Sequence, residues 1–482
     1  MKRWAMFLLC GMVSANSFSS PSFNRWLSSF LYVSPVNFPI SLAGNFGEPR
    51  PNHFHGGIDV RTQMAEGKAI FSISDGYVSR VTVGKFGFGN AVYVRHPNGT
   101  TSVYCHLKRF VPQLNALVGK LQVRHQPAEQ EYDIWLKPWQ MPVSEGQLIA
   151  VSGDTGSSVA PHLHLEIRDT KTWAMLDPLD YLKDFLQDTT PPQAHAFMVY
   201  PQEGAGVFNG SAKKQYFGFT SNHLERVFNA WGRVGFALWA NDYMEETYHH
   251  YGIRQTQLLV DDSLVFFCDV NNIPHQHNLM VNSWGDYAHY RRSHVWYMKS
   301  FADPGNRLPI LHVDDNRGIV CFDEERDYHL VYILTDAFGN QSQYSFVVKG
   351  QKQTVPHATE KNAANLLKWN LTNCFQRPGM QLYVRQGLLP DDVELHPHVK
   401  QGTKGLSDAW SFRDDSYPMF GNAVLSIRLK HPVNDPSKIC LVGNDGREYD
   451  AIVENGWVHG KIRDLGLSYE AGYKRTNNKK QQ

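Results

Sequence analysis

The sequence predicts a mainly β protein, a β-sheet domain followed by β-sandwich modules. Three observations carry that reading. Short runs of β-branched and aromatic residues recur along the 482 residues, each closed by a Gly, Asn, Asp or Pro turn. Aromatic content is 13%, with 12 Trp and 22 Tyr, a level that suits β-rich domains. Two polar, proline-containing stretches, near residues 188–192 and 350–361, divide the chain where its composition changes. Hydrophobic residues at 42% and charged residues at 19% fit a folded globular chain.

Taken in order, the elements are these. Lys2 and Arg3 precede an apolar run over residues 4–13, too short to span a bilayer, and Val13-Ser14-Ala15 offers small residues for cleavage. Residues 1–19 are expected to be a signal peptide. Leu9 ahead of Cys10 argues against lipidation, and no later stretch is long and apolar enough for a transmembrane helix. Residues 20–190 form the first domain, with strands at 69–74, 77–83, 91–96, 101–106, 146–152 and 163–168. Its turns are Asp75-Gly76, residues 87–90, Pro97-Asn98-Gly99 and residues 153–158. Helical spacing is weak over 109–122, and a short helix is expected at 178–185. Residues 195–350 alternate in short strands, among them 234–239, 257–260, 264–268 and 328–335, the pattern of a sandwich. Residues 361–467 read as a second β-rich domain, and 468–482 as a polar tail.

A formal net charge of +1 leaves no basic excess to neutralise phosphates, which excludes a nucleic-acid partner from the expectations. Six cysteines at wide spacing, with no CxxC pair, exclude a dense disulfide framework and a cysteine zinc site. A single bridge such as Cys268–Cys321 stays open.

Chemistry concentrates in three short stretches: His55-Gly56-Gly57-Ile58-Asp59, Tyr104-Cys105-His106-Leu107 and Pro161-His162-Leu163-His164. Positions i and i+2 of a strand share a face, so His162 and His164 can reach one centre while Leu163 and Leu165 enter a core. Gly56 and Gly57 let the chain turn so that His55 and Asp59 converge. Imidazole and carboxylate are ligand types that zinc takes in hydrolytic sites, where three protein ligands leave one position open. His106 ends a strand, and by alternation Cys105 should point away from it as a structural residue. The same HxH spacing recurs at His275-Gln276-His277 and His396-Pro397-His398, which lie among prolines and read as surface loops.

The ordered set resembles the lysostaphin/LytM-type zinc metallopeptidases, with their duplicated hybrid-motif β-sheet domain. Beyond the histidines it includes Gly67, Asp75-Gly76-Tyr77-Val78, His96-Pro97-Asn98-Gly99, Gly146-Gln147 and Gly153-Asp154-Thr155-Gly156-Ser157, over residues 30–185. The resemblance implies one zinc per chain held by His55, Asp59 and His164, with His106 and His162 as the catalytic pair; which of the two is the base stays open. Glu166, on the strand parity of the histidines, is expected to orient a ligand imidazole. The implied function is a zinc metalloendopeptidase cutting peptides of bacterial peptidoglycan, exported to the periplasm or the cell surface. The modules after residue 190 resemble the immunoglobulin-like sandwiches that accompany such peptidases, and an envelope protein is an expected partner for them. Two alternatives belong to other classes. One is a catalytically silent regulator of cell-wall amidases, disfavoured because all five positions are filled. The other is a surface-binding protein dominated by the sandwiches. The long segment 108–141 is expected to wall the substrate groove.

Overall fold

The computed structural model describes residues 32–122, 131–245, 247–401 and 405–475. The signal-peptide reading of residues 1–19 lies outside them. The chain is mainly β, as expected. In the first domain the strands are β1 (Leu42–Gly44), β2 (Ile58–Arg61), β3 (Ala69–Phe71), β4 (Gly76–Val83), β5 (Ala91–Arg95), β6 (Thr100–Cys105), β7 (Leu107–Phe110), β8 (Tyr132–Trp135), β9 (Leu148–Ser152) and β10 (His162–Asp169); helix α1 is Pro112–Gln122. The main sheet runs β1-β2-β10-β6-β5-β4-β8, and β3-β9-β7 form a smaller one.

Alternation gives the main sheet two different faces. Ile58, Val60, Val92, Val94, Tyr104, Leu163, Leu165 and Ile167 point into one apolar core. Leu114 and Val118 of α1 enter the same core, and so do Ile70 of β3 and Ile149 of β9. Burying a side chain of this size contributes about 1.5–3 kcal/mol. The opposite face is therefore free for chemistry, and it is the face of Asp59, His164 and Glu166.

The second domain begins with two long strands, β11 (Gln193–Phe208) and β12 (His223–Tyr243). They are followed by β13 (Gln255–Val260), β14 (Ser263–Asp269), β15 (Asp327–Thr335) and β16 (Gln341–Gly350). These stand in the order β11-β12-β16-β15-β13-β14, and β12 with β16 is a parallel pair. Every strand expected from 234 to 348 falls inside one of these. Residues 275–293, however, fold into short helical turns instead of loops. Their stability comes from tertiary burial of Met280, Val281 and Trp284 rather than from any period in the sequence. The third sheet, within residues 373–473, has its own core around Phe375, Leu382, Leu425, Leu441 and Ile462.

The first two domains exchange core residues. Phe46, Phe54 and Met175 of the first are buried in the cluster of the second, while Met244 and Tyr251 of the second are buried in the cluster of the first. Phe54 packs on Trp284 with ring centroids 5.9 Å apart. Backbone pairing of Met175 with Ile273 carries the main sheet across the boundary. Arg254 joins Asp177 at 2.9 Å, Asp180 at 3.0 Å and Asp269 at 2.6 Å. The five described cysteines are free thiols, so the Cys268–Cys321 bridge left open by the sequence is not formed.

Candidate metal centre

Antiparallel pairing of β2 with β10 sets Asp59 opposite His164 in register. Both side chains leave the sheet on the face opposite Leu163 and Leu165. His55 comes from the turn before β2, which crosses β10 at a distance only glycine permits. A Cβ on Gly57 would lie 2.1 Å from the Leu165 carbonyl oxygen, and one on Gly56 would lie 2.5 Å from Glu166 Oε1. Gly57→Ala is therefore expected to destabilise the protein by about 1–3 kcal/mol or more, because a strand backbone cannot yield as a side chain can. Equilibrium denaturation of the variant measures this.

Three atoms converge. His55 Nε2 lies 3.0 Å from Asp59 Oδ1 and 3.0 Å from His164 Nδ1, and His164 Nδ1 lies 2.8 Å from Asp59 Oδ1. The outer atoms fix what the inner ones present. His55 Nδ1 donates to the Asn45 carbonyl at 2.5 Å, and His164 Nε2 donates to Glu166 Oε1 at 3.2 Å. With each outer nitrogen protonated, both inner nitrogens turn lone pairs toward a carboxylate oxygen. Three acceptors facing one another repel unless a proton or a cation sits among them, and a cation removes that repulsion without protonating a ligand. Zinc bonds His and Asp at about 2.0–2.2 Å, so its tetrahedral ligands stand ~3.3 Å apart, close to the spacing here. The donor set fits zinc.

Neighbouring charges hold the carboxylates ionised. Burial opposes the charge of Asp59, but His55, together with hydrogen bonds from His162 and His164, holds it far below the ordinary range. Its other oxygen, Oδ2, accepts from Arg50 at 3.2 Å. Burial also opposes the charge of Glu166, yet the Arg168 guanidinium brings it down to about 2; Arg168 Nε donates to Oε2 at 2.5 Å. In the metal-free protein, burial works against a charge on His164, but the hydrogen bonds to Asp59 and Glu166 prevail and lift it to about 9. Cation and proton thus compete, and metal uptake releases protons.

The two remaining histidines flank the same point. His162 Nδ1 donates to the Ala160 carbonyl at 2.8 Å, and its Nε2 stands 3.4 Å from Asp59 Oδ1. His106 Nδ1 donates to the Thr155 carbonyl at 2.8 Å. The two rings are 4.7 Å apart. Burial, then the charge of His164, pushes His106 down to about 4, so it is neutral at pH 7. His106 does not reach the site by strand alternation. Its φ is +62°, and it sits at the corner between β6 and β7. Tyr104 and Leu107 both enter the core behind the sheet, so the left-handed residue shifts the alternation by one. Cys105 is thereby corrected. It lies opposite His164 on the site face, not turned away from it, and is buried with Ala91, Tyr93 and Val103. Burial pushes its thiol well above the ordinary value, which keeps it a structural residue.

The centre opens into a cleft of about 910 Å³, with exposed Met64 and Val159 among its lining residues. Among the described residues, none of segment 108–141 lines it, contrary to expectation. Helix α1 packs on the core behind the sheet, on the side away from the cleft. The wall comes instead from the second domain, through His249, His275 and Asn278. Asn278 Oδ1 accepts from the Phe54 backbone N–H at 2.7 Å, one residue from His55. His275 is exposed, as the sequence reading had it, but its place on the cleft wall was not foreseen, and Asn45, Arg50, Arg168 and Asn278 were missed. Only Arg168 carried a signal, since it shares strand parity with Glu166.

Residues 53–122 match the model of peptidase family M23. The first domain is an M23-type peptidase domain. The family match ends before His162 and His164, which β10 returns to the centre. Several curated relatives match part of the chain. The DD-carboxypeptidase/endopeptidase Mpg of Neisseria meningitidis serogroup B is 31% identical over 114 residues, 24% of this chain and 20% of the relative. An uncharacterized metalloprotease of Haemophilus influenzae is 29% identical over 120 residues, 25% of this chain and 19% of the relative. The match thus spans a small part of either relative. Among solved structures, the catalytic domain of lysostaphin from Staphylococcus simulans is 23% identical, covering 33% of this chain and 96% of that one, with a TM-score of 0.20. A zinc-containing peptidase from Vibrio cholerae is 24% identical over 29% of this chain and 36% of that one, with a TM-score of 0.21. Residues 364–473 match a Zu5-like domain.

Glu166→Gln is expected to weaken metal affinity of the M23 domain about 10–100-fold, since an amide cannot carry the charge that makes His164 a stronger donor. Titration against a competing zinc indicator measures it, and unchanged affinity would remove Glu166 from the site.

Proposed function

We propose that this protein is a zinc-dependent endopeptidase that hydrolyses peptide bonds in bacterial peptidoglycan. One observation carries the reading: the inner atoms of His55, Asp59 and His164 meet within hydrogen-bond distance of one another, and His106 and His162 flank the point where they meet. Zinc bound there supplies Lewis acidity and an activated water. The chain's own residues do the rest. A neutral imidazole at His106 or His162 takes a proton from the attacking water. The other, once protonated, donates to the oxyanion or to the leaving amine. The Ala160 and Thr155 carbonyls hold both rings by Nδ1, leaving Nε2 for this work.

The Neisseria relative is named as a DD-carboxypeptidase/endopeptidase, which supports a peptidoglycan peptide as the substrate. The N-terminal sequence supports export, and no helix among the described residues is long and apolar enough to cross a membrane. The test uses purified full-length protein and isolated peptidoglycan. One zinc per chain, with chelator-sensitive release of peptide fragments, is the expected result. Zinc binding without cleavage would point to a blocked groove or a different peptide substrate, and absence of zinc would overturn the proposal in favour of the silent regulator.

A further inference from the structure

A second set of ligand-type groups meets at the seam between the first two domains, on segments unrelated to the cleft. Asp188 lies in the linker leaving the M23 domain, Asp242 near the end of β12, and Asp336 at the start of the turn between β15 and β16. Their exposures are 8%, 5% and 3%. Each offers a carboxylate oxygen within 4.8 Å of the other two.

Local hydrogen bonds orient the group without satisfying it. Asp188 Oδ1 accepts from the Thr190 N–H at 2.9 Å. Asp336 Oδ1 accepts from the Phe338 and Asn340 N–H groups at 2.8 and 2.9 Å, and its Oδ2 from the Asn340 side chain at 2.7 Å. The same Asn340 amide donates to the Asp188 carbonyl at 3.1 Å, tying linker to turn. Two oxygens are left over: Asp188 Oδ2 and Asp242 Oδ1 are buried with no hydrogen-bond partner. Among the described residues, no lysine, arginine or histidine pairs with any of the three. The charges acting on them are one another and Glu245, which is itself engaged by Thr189. Three buried carboxylates without a cation are costly, and a bound cation is the direct remedy.

We propose that Asp188, Asp242 and Asp336 bind a calcium ion that fastens the linker to the second domain. The donors are all hard oxygens, with no imidazole or thiolate to select zinc. They come from three separate segments, a linker, a strand end and a turn, a mixed frame that suits the flexible coordination of calcium better than the strict octahedron of magnesium. The flanking residues give the ion a purpose. Met244, two residues past Asp242, and Ala337 and Phe338, directly after Asp336, all pack on the M23 core. The ion would therefore hold the contacts that keep the second domain against the cleft.

The rival occupant is the proton. Burial, aided by the charge of Asp336, pushes Asp188 up to about 7, and burial with Asp336 and Asp188 pushes Asp242 up to about 8. Calorimetric titration of stripped, zinc-reconstituted full-length protein at pH 8 distinguishes the two. One calcium is expected per chain beside the zinc, with magnesium far weaker. Tm is expected to rise with the logarithm of calcium concentration. Asp242→Asn should lose calcium and its Tm dependence while keeping zinc, and His164→Ala should show the reverse. Wild-type protein with no calcium uptake and no calcium-dependent Tm would overturn the proposal, and a higher Tm for Asp242→Asn at all calcium levels would assign the cluster to shared protons.

Discussion

His164→Ala is expected to remove metal and activity together and to leave the fold standing. The variant is expected to contain no stoichiometric zinc and to release peptide fragments at the rate of a buffer control. In the proposed reaction both water activation and carbonyl polarisation would come from the zinc, terms that underlie enzymatic accelerations of about 10⁶-fold or more. His164 is the ligand to remove because its neighbours show what it does. It contacts Asp59 on one nitrogen and Glu166 on the other, so its loss breaks the metal triangle and strands the Glu166–Arg168 pair. Its side chain contributes little to the apolar core, which β10 supplies through Leu163, Leu165 and Ile167. Circular dichroism should therefore match wild type. Full zinc content in this variant would show that the metal, if any, sits elsewhere.

His106→Ala is the complementary case: zinc retained, kcat reduced by about 10²–10⁴-fold, the usual worth of a positioned acid or base. Here a structural objection must be met, because His106 occupies a left-handed backbone position and its replacement could act through folding. His106→Gly settles it. Glycine adopts φ of +62° without the steric cost that other residues carry there, about 1–2 kcal/mol, so this variant should be at least as stable as His106→Ala. Equal loss of kcat in both variants, with zinc intact, assigns the effect to the imidazole. Recovery of activity in the glycine variant would assign it to backbone geometry. The same pair of measurements on His162, which stands on regular strand, needs no such control.

The difference between these two histidines also marks what was legible in the sequence. His162 and His164 follow from strand period alone, and Gly56-Gly57 marked the turn that brings His55 to Asp59, though not its close approach to the Leu165 carbonyl. Glu166 was reachable by the same parity. The path of His106 was not, because a single positive φ is invisible to alternation, and the misplacement of Cys105 came from the same cause. The cleft wall was out of reach for a different reason. Phe54 and Asn278 meet across more than two hundred residues, and the helical turns that bring Asn278 there are fixed by burial of Trp284 and Met280, not by any local pattern. The segment 108–141 drew attention by its length, but length says nothing about which face of a sheet a chain leaves from.

The exchange of core residues between the first two domains bears on the order of events during synthesis. Phe54 adjoins His55, yet the surface that covers it includes Trp284, made more than two hundred residues later. Asn278 and Asn282, which hold the backbone of Phe54 and Asn52, arrive at the same late stage. In chain order, His55, Asp59 and His164 all precede the residues that support the turn carrying His55. The turn that carries His55 has its full support only once residues 278–284 are in place, so the first domain taken alone lacks part of the frame that sets the site.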